Sequence, residues 1–223
     1  MDLVKMCIEK YGIDNIKANE NSPLRGRRIL FLGSSVTKGS ASGGVSFAEY
    51  IAARNGAEFV KEAVNGTTLV EGNGSYIERL CNIEKGKVFD LFICQLSTND
   101  ATRGKNIGVP ALTYSPDTST VCGAVEYIIE YVKETWACPV IFYTNSYYES
   151  ENYSAMVTAL HKIAELYGIG VIDLYRDEEF NNIGKEKRDI YMADSIHPTK
   201  AGYLEWWTPK MEKYITDYLK KRQ

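Results

Sequence analysis

The sequence predicts an α/β fold, a three-layer α/β/α sandwich on a five-stranded parallel sheet. Two observations predict it. The strand-length segments are mostly short apolar runs without strict alternation, as expected of strands covered on both faces. Between successive runs lie helix-length segments, and strands joined by helical crossovers make a parallel sheet with helices on both sides.

In chain order, residues 2–11 are expected to form an extra helix. The polar linker GIDNIKANENSPLRGR, ending near Pro23 and Gly26, joins it to the rest. Residues 1–26 thus read as an appended arm and residues 27–223 as one α/β domain. RILFLG at 28–33 opens the sheet; further strands are expected at 58–64, 89–96, 139–145 and 170–175. Helices are expected at 46–54, 75–85, 121–136, 152–167 and 199–220. In the fourth, Met156, Leu160, Ile163 and Tyr167 fall on one stripe. Two long irregular stretches, 98–120 and 176–198, follow strands. In an open parallel sheet such loops form the ligand crevice.

Composition narrows the function. With 44% hydrophobic and 25% charged residues the chain is ordinary for a folded domain, and a net charge of -3 gives no bulk attraction to nucleic acid or anionic lipid. No apolar run approaches the ~18 residues of a membrane span. The first ten residues carry charges and no signal-peptide core, so a cytoplasmic protein is expected. Cys7, Cys81, Cys94, Cys122 and Cys138 form no CxxC pair. Reduced, buried thiols are expected, with no disulfide framework or zinc site. No cofactor is implied.

The stretch RRILFLGSSVTKGS, 27–40, delivers small hydroxyl residues onto a loop after the first strand. A P-loop needs G-x-x-x-x-G-K-[ST], but here Lys38 precedes Gly39; a dinucleotide fingerprint needs a glycine two after Gly33, and Ser35 is there. A looser phosphate loop using Ser34, Ser35 and Thr37 stays open, because backbone N–H groups at a helix start bind anions. The alternative is a nucleophile. YMADSIHPTKAGY, 191–203, places Asp194 three residues before His197 on a loop at the same rim. A serine becomes nucleophilic when a base takes its proton and a third group fixes that base's tautomer; Asp194, His197 and a rim serine supply those roles. The competing reading is that Asp194 and His197 cap the final helix. His161, inside 152–167, is expected to be an ordinary helix-surface residue. Gly66 after the second strand and Asn99 after the third could donate to an oxyanion, or serve as turn formers.

This set resembles the SGNH hydrolases, also called the GDSL esterase/lipase family. Gly33-Ser34-Ser35-Val36-Thr37 matches the first block and places the nucleophile at Ser35; Gly66 matches the second block, Asn99 the third, and Asp194-Ser195-Ile196-His197 the last. The likeness spans about residues 28–205, with Ser34 in place of the usual aspartate and Ser97 in place of the usual glycine. It implies a flavodoxin-like fold and metal-free hydrolysis of esters, thioesters or acyl groups. Ser35, His197 and Asp194 would be catalytic, and the Ser35 and Gly66 N–H groups with the Asn99 amide would form the oxyanion hole. If position 97 needs a positive φ, Ser97 is strained. No long apolar lid is visible, which favours small soluble esters. Arg103, Lys105, Tyr147 and Tyr148 sit at the rim; the tyrosines either stack on a sugar, as in a deacetylase of acetylated carbohydrates, or pack, and packing is favoured. Trp206 and Trp207 are expected to be buried. The runner-up is a flavodoxin-like binding protein holding a phosphate-bearing ligand.

Overall fold

The structure, a computed structural model, describes residues 10–222. All but the last two positions of the helix expected over 2–11 lie outside the described residues, as does Cys7. Five parallel strands run in the order β2-β1-β3-β4-β5. They are β1 Arg28–Gly33, β2 Glu58–Ala63, β3 Leu91–Gln95, β4 Val140–Tyr143 and β5 Gly170–Ile172. Gly33 is in register with Ala63, and Leu32 with Cys94. The chain therefore leaves β1, β2 and β3 at one rim, at Ser34, Val64 and Leu96.

Several strands are shorter than expected, and polar side chains end them. Asp90 accepts the Arg28 N–H at 2.8 Å and pairs with Arg27 at 2.9 Å, so 89–90 lie outside β3. Asp173 accepts from Thr144 Oγ1 and from the Arg176 N–H, both at 3.1 Å, which turns the chain after β5.

The helices are α1 Ser35–Lys38, α2 Phe47–Asn55, α3 Tyr76–Cys81, α4 Thr98–Thr102, α5 Val121–Trp136, α6 Glu151–Tyr167, α7 Glu178–Asn181, α8 Gly184–Tyr191 and α9 Thr208–Lys220. A π-helical segment, Gly202–Trp207, leads into α9. The stretches 98–120 and 176–198, expected to be irregular, hold α4, α7 and α8. Ser97 and Asp177 are the side-chain caps that start α4 and α7. The box of Ser46 and Glu49 starts α2.

Alternation along the strands divides the core. Leu30, Leu32, Phe92, Cys94 and Phe142 face α5 and α6, meeting Ile128, Val132, Leu160 and Ile163. Ile29, Phe31, Leu91, Ile93 and Tyr143 face α2 and the last helix, meeting Phe47, Trp207, Met211 and Ile215. Both faces of β1, β3 and β4 are covered, which is why those strands read as apolar; β2, at the sheet edge, carries Glu58, Lys61 and Glu62 and has no buried residue. Trp206 and Trp207 are buried; Phe180 stacks on Trp206 with ring centroids 4.4 Å apart.

His161 lies at the surface of α6, 39% of its side chain exposed, with its Nε2 2.6 Å from Asp173 Oδ2 just past the end of β5. One expectation is corrected. Cys81 is exposed rather than buried, since α3 stops at that residue and leaves its thiol facing Tyr127 Oη at 3.6 Å. Cys94, Cys122 and Cys138 are free and buried. The segment before β1 runs against α2: the Asn19 N–H donates to Arg54 O at 2.7 Å, and Leu24 lies in the core.

Candidate active site

The site begins where β1 ends. After Gly33, Ser34 bends the chain into α1, whose first residue is Ser35. A side chain at Gly33 has no room, since a Cβ there would lie 1.8 Å from Thr37 Oγ1 and 2.6 Å from Thr37 Cβ. Beneath the turn sits Gln95, a polar residue in an otherwise apolar strand. Its Oε1 accepts from the Ser34 N–H and from Thr37 Oγ1, each at 2.9 Å. Thr37 Oγ1 also lies 2.6 Å from Tyr143 Oη. Ser34 and Thr37 are fully buried. The hydroxyls that a phosphate loop would offer are turned inward, which leaves Ser35 facing the rim. Ser34 braces the loop through Gln95 where an aspartate would be usual.

Gly33→Ala should therefore act on geometry. Rotating Thr37 moves its Oγ1 but not its Cβ, so the α1 backbone itself must shift. Overpacking of this kind costs about 1–3 kcal/mol, and a displacement near 1 Å lowers turnover about 10²-fold. Denaturant midpoints and kcat on one ester check both; wild-type values in each would contradict the tight approach.

The second part of the site is the 193–197 loop. It is pinched at its base by the Met192–Pro198 bridge and by the Ala193 N–H, which donates to His197 O at 2.8 Å. Asp194 Oδ1 accepts the Ile196 N–H at 2.7 Å and the His197 N–H at 2.8 Å. Asp194 Oδ2 lies 2.8 Å from His197 Nδ1, and His197 Nε2 lies 2.8 Å from Ser35 Oγ. Partial burial alone would raise the Asp194 carboxyl. The Ile196 N–H, the His197 ring and the His197 N–H outweigh it and hold the carboxyl below the ordinary carboxylate value. Helix capping is not what Asp194 and His197 do, because Thr199 Oγ1 accepts the Gly202 N–H at 3.2 Å. Six residues after His197, Tyr203 donates its hydroxyl to Val36 O at 2.7 Å. That bond ties the segment carrying His197 to the turn carrying Ser35.

The third part is the turn after β2. Gly66 has φ +74, a left-handed conformation that glycine adopts without a Cβ penalty. Arg103 donates to Gly66 O at 2.8 Å, and Asn99 Nδ2 donates to Thr67 O at 2.9 Å. Asn99 and Arg103, four residues apart, both reach this turn. An amide nitrogen carries two N–H groups, and the bond to Thr67 uses one of them. Ser97 is unstrained: its φ is −69, and its side chain accepts the Asp100 N–H at the start of α4. Asp100 is buried and accepts the Leu69 and Val70 N–H groups at 2.8 and 3.2 Å. Burial pushes its carboxyl above the ordinary value despite those bonds. The short helix bearing Asn99 is thereby fastened to the chain that follows the Gly66 turn.

Around these parts, Tyr148 packs on Tyr153 and Tyr175, with centroids 5.0 and 6.0 Å away; Tyr147 also packs on Tyr175, at 5.3 Å, and is half exposed. Lys105 is half-buried, its N–H donating to Asp100 O. Sequence reading missed Gln95 and Tyr203; a glutamine inside an apolar strand was the available signal for the first. Among the described residues, no cluster of three or more His, Cys, Asp or Glu side chains is placed to hold a metal ion. No helix among them is long and apolar enough to cross a membrane.

Residues 31–204, from β1 into the π-helical segment, match the GDSL-like lipase/acylhydrolase family. The chain belongs to that family. It is an ester hydrolase, and its substrate is a small molecule. No curated protein matches the sequence. Solved structures that resemble this acylhydrolase include a protein from Lactobacillus plantarum, at 19% identity and a TM-score of 0.70, covering 89% of this chain and 99% of that one. A member of the lipolytic G-D-S-L family from Veillonella parvula is similar at 21% identity and a TM-score of 0.65, covering 85% and 98%. A mutant of Axe2, an acetyl-xylooligosaccharide esterase from Geobacillus Stearmophilus, is similar at 16% identity and 0.63, covering 86% and 94%. At these identities the likeness shows the shared fold: the acylhydrolase has the same three-layer sandwich.

Proposed function

We propose that this acylhydrolase cleaves small soluble carboxylic esters through Ser35, His197 and Asp194. The observation that carries the reading is the chain of contacts from Ser35 Oγ to His197 Nε2 and from His197 Nδ1 to Asp194 Oδ2, each 2.8 Å. His197 accepts the Ser35 proton as Ser35 attacks the ester carbonyl, and Asp194 keeps the ring proton on Nδ1. The oxyanion is met by the N–H groups of Ser35 and Gly66 and by the Asn99 amide. His197 then protonates the leaving alcohol, and water repeats the sequence on the acyl-enzyme. Acetylated carbohydrates are one candidate substrate class. The half-exposed Tyr147 offers a ring for a sugar, and the similar Axe2 is an acetyl-xylooligosaccharide esterase.

A fluorophosphonate should label the protein once, and mass analysis of the labelled peptide should place the adduct on Ser35. Turnover should be faster on p-nitrophenyl acetate than on the octanoate. A label on another residue would sink the Ser35 assignment, and a preference for octanoate would sink the small-ester one.

Activity should also fall on acidification, because a protonated imidazole accepts no proton. The folded value of Asp194 is depressed, so its loop bonds are complete above the ordinary carboxylate pKa and are lost only as pH falls through the lowered value. A flat kcat/KM from about pH 5 to pH 9 would remove His197 from the role of base.

A further inference from the structure

Arg79, on α3, faces the underside of the candidate site, and only 10% of its side chain is exposed. Its Nη2 donates to Gly33 O at 2.8 Å and to Thr67 Oγ1 at 3.0 Å. Its Nη1 donates to Glu62 O at 3.0 Å and to Glu62 Oε1 at 3.1 Å, and its Nε donates to Gly74 O at 3.1 Å. An arginine has five N–H donors in a rigid fork, and these contacts use all five.

The acceptors are not a random set. Gly33 ends β1 two residues before Ser35; Glu62 lies near the end of β2; Thr67 directly follows Gly66. Thr67 is held from its other side by Asn99, through its carbonyl. One guanidinium thus bolts the segment that delivers Ser35 to the turn that presents the Gly66 N–H.

We propose that Arg79 is a positioning residue for the oxyanion hole, setting the spacing between Ser35 and the Gly66 N–H without touching substrate. The inference rests on the acyl-transfer reading of Ser35. A donor aimed at the developing oxyanion acts on the transition state more than on the bound ester, so its misplacement lowers kcat and leaves KM nearly unchanged. Lysine offers three donors at one point and cannot span these acceptors.

The test measures kcat and KM on p-nitrophenyl acetate for wild type, Arg79→Lys, Arg79→Ala and Thr67→Val, with a denaturation curve for each. Arg79→Lys and Arg79→Ala should lose about 10²-fold in kcat, a displacement-sized effect, with KM changed less than about threefold. Free guanidinium, at a concentration below any unfolding, should partly restore Arg79→Ala and leave Ser35→Ala inactive. Thr67→Val removes the acceptor and keeps the guanidinium; it should lose about tenfold in kcat, which keeps the proposal testable if the Arg79 variants do not fold.

Wild-type kcat in a folded Arg79→Lys or in Thr67→Val overturns the proposal. So does a rise in KM at unchanged kcat. If wild type itself neither turns over esters nor reacts with a fluorophosphonate at Ser35, the acyl-transfer reading fails and the proposal falls with it. Normal wild-type labelling with equal rates in the Arg79 variants sinks the positioning role alone.

Discussion

Ser35→Ala should lower kcat/KM on p-nitrophenyl acetate by about 10⁴-fold or more. Ser35 Oγ is the hydroxyl within 2.8 Å of His197 Nε2. The neighbouring hydroxyls of Ser34 and Thr37 are buried against Gln95, so neither is placed to substitute. His197→Ala should cost nearly as much, and the double variant little more, because nucleophile and base act as one unit. Stability separates this outcome from a folding defect. Ser35 loses a single partly exposed hydrogen bond, whose net worth is about 0.5–1.5 kcal/mol, so the denaturation midpoint should move little while turnover collapses. Equal rates in wild type and Ser35→Ala, both above background, would require another nucleophile and end the assignment.

What the sequence reveals here follows from which signals are local. The succession of strands and helices along the chain is legible because most strands are covered on both faces and read as apolar runs: Ile29 and Phe31 face one layer, Leu30 and Leu32 the other. Ser35, His197 and Asp194, expected to meet, lie each within hydrogen-bond distance of the next, since all sit at one rim of a parallel sheet, Ser35 just past the end of β1 and the others on the 193–197 loop. Other features depend on contacts between distant segments. Nothing local says that Tyr203 reaches Val36 O, or that Arg79 spans Gly33 and Thr67. The short helices α4 and α7 escaped notice although Ser97 and Asp177 are good caps, because four- or five-residue helices carry too little periodicity to stand out. Reading Ser97 as a replaced glycine suggested strain. Its φ of −69 shows that the position is an N-cap, for which serine is among the preferred residues.

Asp194→Asn should lower kcat by about 10³-fold while leaving the loop folded. The substitution preserves an oxygen for the Ile196 and His197 N–H groups, which hold the 194–197 turn together. What changes is the atom opposite His197 Nδ1. An amide –NH₂ there can only donate, so the ring must present its lone pair on Nδ1 and carry its proton on Nε2. That proton then points at Ser35 Oγ, and the imidazole has no free site for the serine proton. The charge that steadies the imidazolium disappears as well. Just over half of the Asp194 side chain is exposed, 55%, so water can partly replace it. The loss should therefore fall short of that from Ser35→Ala. Stability supplies an independent check with a definite sign. The Asp194 carboxyl is held below its ordinary value, so its extra contribution is complete above the ordinary carboxylate pKa and vanishes as pH falls through the lowered one. Any stability gap between wild type and Asp194→Asn should be largest near neutrality and close in acid. A kcat within threefold of wild type would mean that solvent orients the imidazole unaided, and Asp194 would then hold the loop without taking part in the chemistry.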